Sequence, residues 1–385
     1  MPRCLIITND FPPRRGGIET FVYELARRFP PGEVVVYTSG EPQARVFDSG
    51  LPFPVVRDRA RTLLPTPRVA RNARALAEAY GCDRVWFGAA APLGLLAGRL
   101  GLPSVATTHG HEVWWATVPG ARRALRRIGE RADIVTYLTG YTRSRIAGAL
   151  GPRARTARLV PGVDAELFRP DPAAGAAVRD HHGLGDRPVV LSVSRLVPRK
   201  GQDRLIRALP RVRRAVPDAT LLIVGAGPQD FWLRGLAGRL PAGAVVFAGG
   251  RPHAELPPYY AAADVFAMPC RNRRLGLETE GLGIVFLEAA AAGLPVLAGD
   301  SGGAPEAVRD GDNGHVVDAS SVPAIADRLI EMLSDADARA AMGRRGREWA
   351  RAEWSWDRSY ERLRDLLDRA AGTSRASGTS SNVSP

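Results

Sequence analysis

Lysine is almost missing from this chain: of 53 basic residues only Lys200 is a lysine, and the rest are arginine. A genomic bias toward arginine accounts for the arginines. It also singles out the one ammonium, because a compact point charge on a flexible stem acts differently from a planar guanidinium fork. Cysteine is scarce as well. Cys4, Cys82 and Cys270 lie far apart, which argues against a disulfide framework or a thiolate metal site and fits a reducing cytoplasm. No uncharged apolar run reaches the ~20 residues of a spanning helix, since Glu288 interrupts the best candidate. Met1 leads almost directly into the apolar run Cys4–Thr8, without the basic, apolar and cleavage-site pattern of a signal peptide. The expectation is a protein that is soluble or lies on a membrane surface. There is no complete GxGxxG fingerprint, because VGAGPQ at 224–229 lacks the third glycine, and this argues against a nicotinamide-dependent oxidoreductase. No convincing Asp-x-Asp metal motif is present either.

The chain has 385 residues, 45% of them hydrophobic, enough for two domains with a core each. A formal net charge of +13 points to an anionic partner: nucleic acid, an acidic membrane or a phosphorylated small molecule. Apolar runs alternate with helical patterns. CLIIT, VVVYT, RVWFG, SVATT and DIVTYL occupy the first half, and VVLSVS, TLLIVG, VVFAG, DVFAMP and PVLAG the second. Continuous apolar strands between helices are strands covered on both faces, so both halves read as doubly wound parallel α/β sheets. The small residues and prolines of 161–177 mark the boundary. The expected domains are 1–168 and 169–349, followed by a Trp- and Leu-rich helix over 350–371 that packs back across the protein. The small polar segment 372–385 is expected to be a disordered tail.

In such sheets ligands bind at the carboxyl ends of the strands, which directs attention to four loops. NDFPPRRGGIET follows the first strand. Ile18, Phe21, Val22, Leu25 and Phe29 then repeat at helical spacing, placing Gly16 and Gly17 ahead of a helix N-terminus, either to meet an anion or to make a tight turn. In SRLVPRKG, Arg195 and Lys200 bracket a proline-stiffened loop, suited to clamp a diphosphate or simply solvated. HGHE at 109–112 puts His109 at a strand end, where it can orient a hydroxyl or carbonyl group. A packed structural histidine is the alternative, above all for His111, and a metal pair lacks a third ligand at zinc-like spacing. ETEGLGIVFLEAAAAG carries Glu280 in a glycine loop and Glu288 one turn into an apolar helix that Gly293 and Pro295 stop. Backbone N–H groups near Gly283, Ile284 and Val285 would face an anion there. An unpaired carboxylate in that helix costs several kcal/mol, so Glu288 needs hydrogen-bond donors, either an arginine or a pair of sugar hydroxyls.

Together these loops resemble a retaining glycosyltransferase of the GT-B fold, in family 4 of the nucleotide-sugar enzymes: two Rossmann-like domains facing a central cleft. The acid, seven residues, acid signature of that family is matched by Glu280 and Glu288 in EGLGIVFLE, followed by PVLAGDSGGAPE. Within it, NDFPPRRGGIE, VWFGAAAPL, THGHEVWW, SRLVPRKGQD and EGLGIVFLEA are most similar to the actinobacterial GDP-mannose-dependent mannosyltransferases acting on phosphatidylinositol monomannoside. The resemblance implies α-1,6 transfer of mannose from GDP-mannose to a glycolipid, or, as alternatives, another nucleotide sugar and a soluble or glycan acceptor. It implies that Arg195 and Lys200 hold the diphosphate, Glu288 the ribose, Glu280 the hexose, and that His109 meets the sugar near the reacting carbon. Gly16 and Gly17 would admit the first domain's loop to the donor. From position alone, Gly250 and Arg251 would recognise the base.

The resemblance also implies retention by same-face attack, with the leaving phosphate taking the acceptor's proton, which would need no metal and no carboxylate nucleophile. Glu280 and Glu288 are therefore not the hydrolase pair, whose carboxyls stand about 5–5.5 Å apart. A lipid acceptor implies a peripheral protein on the inner face of the plasma membrane. PGARRALRRIGERAD at 119–133 sets Arg122, Arg123, Arg126 and Arg127 beside Leu125 and Ile128, just after Trp114 and Trp115. This is either a basic amphipathic surface for anionic headgroups or a solvated helix face. A nucleic-acid binder would explain the charge but leaves Glu288 without a purpose and lacks the usual motifs.

Overall fold

The computed structural model describes residues 2–14, 16–42, 44–276 and 278–379, and of residues 275 and 373–379 the backbone only. The chain forms two units, Met1–Gly162 with Trp356–Pro385 and Val163–Ser355. In the first unit β1 (Cys4–Thr8), β2 (Val34–Thr38), β3 (Val55–Arg57), β4 (Arg84–Phe87), β5 (Ser104–Thr107), β6 (Ile134–Tyr137) and β7 (Thr156–Arg158) make one sheet in the order β3-β2-β1-β4-β5-β6-β7. In the second, β8 (Val189–Val193), β9 (Thr220–Val224), β10 (Val245–Gly249), β11 (Val265–Met268), β12 (Val296–Gly299) and β13 (Gly314–Val317) lie in the order β10-β9-β8-β11-β12-β13. Every pairing is parallel. Strand order reverses between β1 and β4 and again between β8 and β11. These are the switch points at which doubly wound sheets leave a crevice for ligands.

The ten apolar runs are strands, nine of them inside their sheets with their side chains largely covered, and the tenth, β10, a half-buried edge strand. β1, β2, β8 and β9 are buried at every residue, and each large apolar side chain so covered contributes roughly 1.5–3 kcal/mol. Three strands lack that signature. β3 and β7 are three-residue edge strands, incompletely buried, and β13 at the other sheet's edge reads GHVV. An edge strand has one neighbour, so short and partly polar sequences suffice.

The unit boundary falls at Gly162, earlier than 168. Val163 donates to the Trp354 carbonyl at 2.6 Å, and Phe168 is buried edge-on against Tyr260, ring centres 5.3 Å apart. The expected helix over 350–371 is two helices. Ala336–Glu353 ends in the second unit. Trp356–Thr379 belongs to the first, burying Trp356, Leu363, Leu366, Leu367 and Ala370, with Tyr360 edge-on to Phe29. Its backbone stays helical through 372–379, where a disordered tail was expected, because adding residues to an existing helix is far easier than nucleating one. Residues 380–385 of that tail lie outside the described residues.

Candidate functional site

In the second unit the candidate residues gather at the carboxyl ends of β8, β11 and β12. After β8 the chain runs to a 3-10 turn, Pro198–Lys200, closed by Gly201 at φ 82°. A Cβ on Gly201 would stand 2.1 Å from the Pro269 carbonyl oxygen, so only glycine lets this loop lie against the one leaving β11. The packing delivers Lys200, 9% exposed, to Glu280. Its Nζ lies 2.7 Å from Oε2, and Arg199 Nη1 reaches the same oxygen at 2.6 Å. Burial pushes the Glu280 carboxyl up, but the charges and hydrogen bonds of Lys200 and Arg199 outweigh it and leave its pKa below the ordinary value.

The loop after β12 fixes the Glu280 backbone. The Glu280 N–H donates to Ser301 Oγ at 3.2 Å, its carbonyl accepts from the Gly303 N–H at 2.9 Å, and a Cβ on Gly302 (φ 58°) would stand 2.1 Å from that carbonyl oxygen. The SGG of GDSGGAPE is thus a brace for Glu280.

Two cations hold Glu280. Arg195 is not one of them: its side chain is exposed, and among the described residues it pairs with no carboxylate. The cations that meet are Arg199 and Lys200. Arg199 stood in the quoted loop, but adjacency to Lys200 gave no sign that the 3-10 turn would point both the same way.

Gly283 (φ 86°) caps the helix Ile284–Ala291, whose Phe286–Ala291 are buried. Its first N–H groups have no partner within the helix, as expected at Gly283, Ile284 and Val285. Glu288 is 1% exposed. Tyr260 Oη donates to its Oε2 and His253 Nε2 to its Oε1, both at 2.7 Å. The partner of the buried acid is therefore not an arginine, and ordered donors of this kind remove the desolvation penalty. Burial and the adjacent Glu288 charge raise the Tyr260 hydroxyl's pKa well above normal, so it remains a donor. The segment RPHAELPPYY gave no local signal for either donor, which reach Glu288 only through the tertiary fold. Gly250 and Arg251 follow β10 and are exposed, the Arg251 guanidinium 5.7 Å from the centre of the Tyr259 ring. The glycines of VGAGPQ serve packing: a Cβ at Gly225 or Gly227 would meet the Ser194 or Leu196 carbonyl oxygen at 2.0 or 2.4 Å.

In the first unit Gly16 is the N-cap and Gly17 the first residue of the helix Gly17–Ala26. Phe21, Val22 and Leu25 are buried as the spacing predicts, while Phe29 lies past the helix end. Gly16 is extended (φ 173°), and a Cβ there would first meet the Glu19 carboxylate, at 2.2 Å. A Cβ on Gly17 would meet nothing within 4 Å. Folding therefore needs no glycine at 17, which weakens the tight-turn alternative there.

His109 follows β5. Its Nε2 lies 2.7 Å from the Gly88 carbonyl, which must accept, so Nε2 carries the proton and Nδ1 is left as acceptor. Phe21 packs edge-on at 5.1 Å, and burial lowers the ring's pKa to about 4, so His109 is neutral at physiological pH. Glu112 Oε2 accepts from the N–H groups of His109 and Gly110 at 3.0 and 3.1 Å. His111 Nε2 lies 3.3 Å from Glu112 Oε1. Among the described residues no group of three or more His, Cys, Asp and Glu is arranged to hold a metal.

The basic segment forms the helix Pro119–Arg131, with Leu125 and Ile128 buried in the core and Arg122, Arg123, Arg126 and Arg127 exposed. Its apolar stripe is used internally, so the outward face is cationic rather than amphipathic. Of the tryptophans upstream, Trp114 is 47% exposed and Trp115 packs on the core. No described helix is long and apolar enough to cross a membrane.

Two parallel Rossmann-like sheets of seven and six strands, with cations and a helix N-terminus at the second switch point, define a GT-B glycosyltransferase. The fold is shared with Anabaena Alr3699/HepE solved with UDP and glucose (TM-score 0.80, 21% identity, 96% of this chain and 100% of that one). It is also shared with sucrose-phosphate synthase of Thermosynechococcus elongatus (TM-score 0.75, 22% identity, 96% and 100%). The profile described as Glycosyltransferase Family 4 matches residues 15–167, and that of Glycosyl transferases group 1 matches 177–349. The chain is 50% identical to the GDP-mannose-dependent alpha-(1-6)-phosphatidylinositol monomannoside mannosyltransferase of Mycobacterium tuberculosis H37Rv, over 95% of this chain and 98% of that one. It is 53% identical to that of Mycolicibacterium smegmatis (94% and 97%). A monoacylated-substrate counterpart in Corynebacterium glutamicum is 45% identical (95% and 97%). The chain belongs to this family of glycosyltransferases.

Proposed function

We propose that the protein transfers mannose from GDP-mannose to the 6-position of a phosphatidylinositol mannoside, with retention and without a metal ion. The observation that carries this reading is the near end-to-end likeness to three mannosyltransferases so described, together with the Lys200–Glu280 pair at the second switch point. The second unit would bind the donor and the first the acceptor.

Donor binding is an exchange of anions. In the described state Lys200 is neutralised by Glu280; a diphosphate arriving at the N-terminus of Ile284–Ala291 takes over Lys200, while Arg199 keeps the Glu280 carboxylate ionised and directed at hexose hydroxyls. Arg195, which meets no carboxylate among the described residues, adds a second cation. As the glycosidic bond breaks, negative charge would grow on the β-phosphate, where Lys200, Arg195 and the helix N–H groups would meet it; such stabilisation is usually the largest catalytic term. Glu288, held by Tyr260 and His253, has lone pairs left for ribose hydroxyls, and Gly250 and Arg251 lie toward the base. Neutral His109 offers Nδ1 as acceptor beside the sugar, and Gly16 and Gly17 leave room for the donor phosphate. A cationic helix face with Trp114 suits peripheral attachment to an anionic inner leaflet.

The test is transfer of labelled sugar from GDP-mannose, UDP-glucose and ADP-glucose in turn to phosphatidylinositol monomannoside. The reading expects GDP-mannose to label an organic-soluble product in the presence of a chelator. Label that remains in water-soluble glycan, or comes from another donor, contradicts it.

A further inference from the structure

Unit two carries a surface that the donor site does not use. The helix Asp230–Ala237 buries Leu233 and packs Leu236 partly against the core, yet turns two aromatic side chains outward: Phe231 is 89% and Trp232 45% exposed. Both line a shallow groove with Gly235, Leu236, Arg207 and Arg239. Arg207 and Arg239 are exposed, and among the described residues their side chains pair with no acid. The acid on this helix, Asp230, is already neutralised by Arg234 at 2.8 Å. The groove is thus aromatic and net positive.

We propose that Phe231 and Trp232, flanked by Arg207 and Arg239, seat in the interface of an anionic lipid bilayer and hold this unit at the membrane surface. Adjacent exposed aromatics mark an interaction surface rather than ordinary exposure. Aromatic rings rest at headgroup depth, and unpaired guanidiniums beside them match lipid phosphates. Six residues cover far less than the roughly 800 Å² per partner of a stable protein interface, which favours a lipid surface over a second copy of the chain. Position agrees. The loop leading into this helix is bonded to the loop after β8, with the Gln229 N–H on the Leu196 carbonyl at 3.2 Å and the Leu196 N–H on the Ala226 carbonyl at 3.0 Å. The aromatic pair at the start of this helix therefore lies toward the same end of the sheet as Lys200, where an enzyme drawing its acceptor from a bilayer needs contact. The proposal rests on the glycolipid reading only for its purpose; the binding itself is independent of it.

Flotation of the full chain with phosphatidylcholine vesicles, with and without phosphatidylglycerol, tests it. Phe231→Ser/Trp232→Ser is expected to weaken binding to the anionic vesicles about tenfold or more, and Arg207→Ser/Arg239→Ser to remove much of the salt-sensitive part. Both variants should keep wild-type GDP affinity and transfer to detergent-dispersed acceptor, while losing transfer to vesicle-embedded acceptor. Unchanged vesicle binding overturns the proposal, as does a variant whose one altered property is its oligomeric state in gel filtration. Wild-type protein that floats but never mannosylates dispersed acceptor leaves the anchor standing and refutes the proposed function instead.

Discussion

Replacing Lys200 by methionine keeps the four-atom stem and removes the charge. Glu280, with a side chain 9% exposed, then retains only Arg199 at 2.6 Å on the same oxygen. Orphaning a buried charge completely costs about 3–5 kcal/mol, and with one cation remaining the loss should be about 1–2 kcal/mol. For a unit of this size that lowers Tm by about 2–8 °C. Lys200→Met/Glu280→Gln removes both charges, and most of the lost stability should return, since the two sites couple directly. Transfer should be absent in both variants.

The pH dependence has a definite sign. Because the folded pKa of Glu280 is held below the ordinary value of 4.5, the pair's contribution is fully present above that value and disappears as pH falls through the folded pKa. The gap in Tm between wild type and Lys200→Met is therefore widest at neutral pH and closes in acid. Thermal unfolding at several pH values checks this. Equal Tm values for the single and double variants, or a gap independent of pH, would refute the role given to the pair.

Four further outcomes follow from the same geometry. Gly17→Ala, with nothing within 4 Å of the new Cβ, should leave stability unchanged or raise it by up to about 1 kcal/mol in calorimetry, while transfer falls if this loop approaches the donor. Gly201→Ala combines φ 82° with a Cβ 2.1 Å from the Pro269 oxygen and should destabilise by more than about 2 kcal/mol, seen as a lowered denaturation midpoint. Glu288→Gln leaves one of Tyr260 and His253 facing an amide donor; unfolding should cost about 1–3 kcal/mol less and GDP affinity should fall, both measurable by titration. His109, with a pKa lowered from 6.5 to about 4, stabilises the fold above pH 6.5 and loses that contribution as pH falls toward 4, so His109→Phe should flatten the stability profile across that window.

Central strands were legible because burial on both faces forces a continuous apolar run. β3, β7 and β13 were not, because edge positions relax that demand. The glycines at 201, 225, 227 and 302 look alike in sequence and become explicable only when a neighbouring carbonyl is seen 2.0–2.4 Å from the absent Cβ. Glu288 announced through its apolar surroundings that it needs partners, but Tyr260 and His253 come from a segment 28 and 35 residues away. The basic pattern at 119–133 left a membrane-facing amphipathic surface and a solvated helix face both open, and the sequence alone did not show that Leu125 and Ile128 belong to the protein's own core.

On the proposed function, the carboxyl end of the second sheet grips the donor's diphosphate. A crystal structure with GDP-mannose is the decisive measurement. The diphosphate is expected against Lys200, Arg195 and the N–H groups of Gly283–Val285, with Glu280 still on Arg199 and now touching mannose hydroxyls. Donor bound elsewhere, or bound with the Lys200–Glu280 pair undisturbed and no phosphate near it, would contradict it.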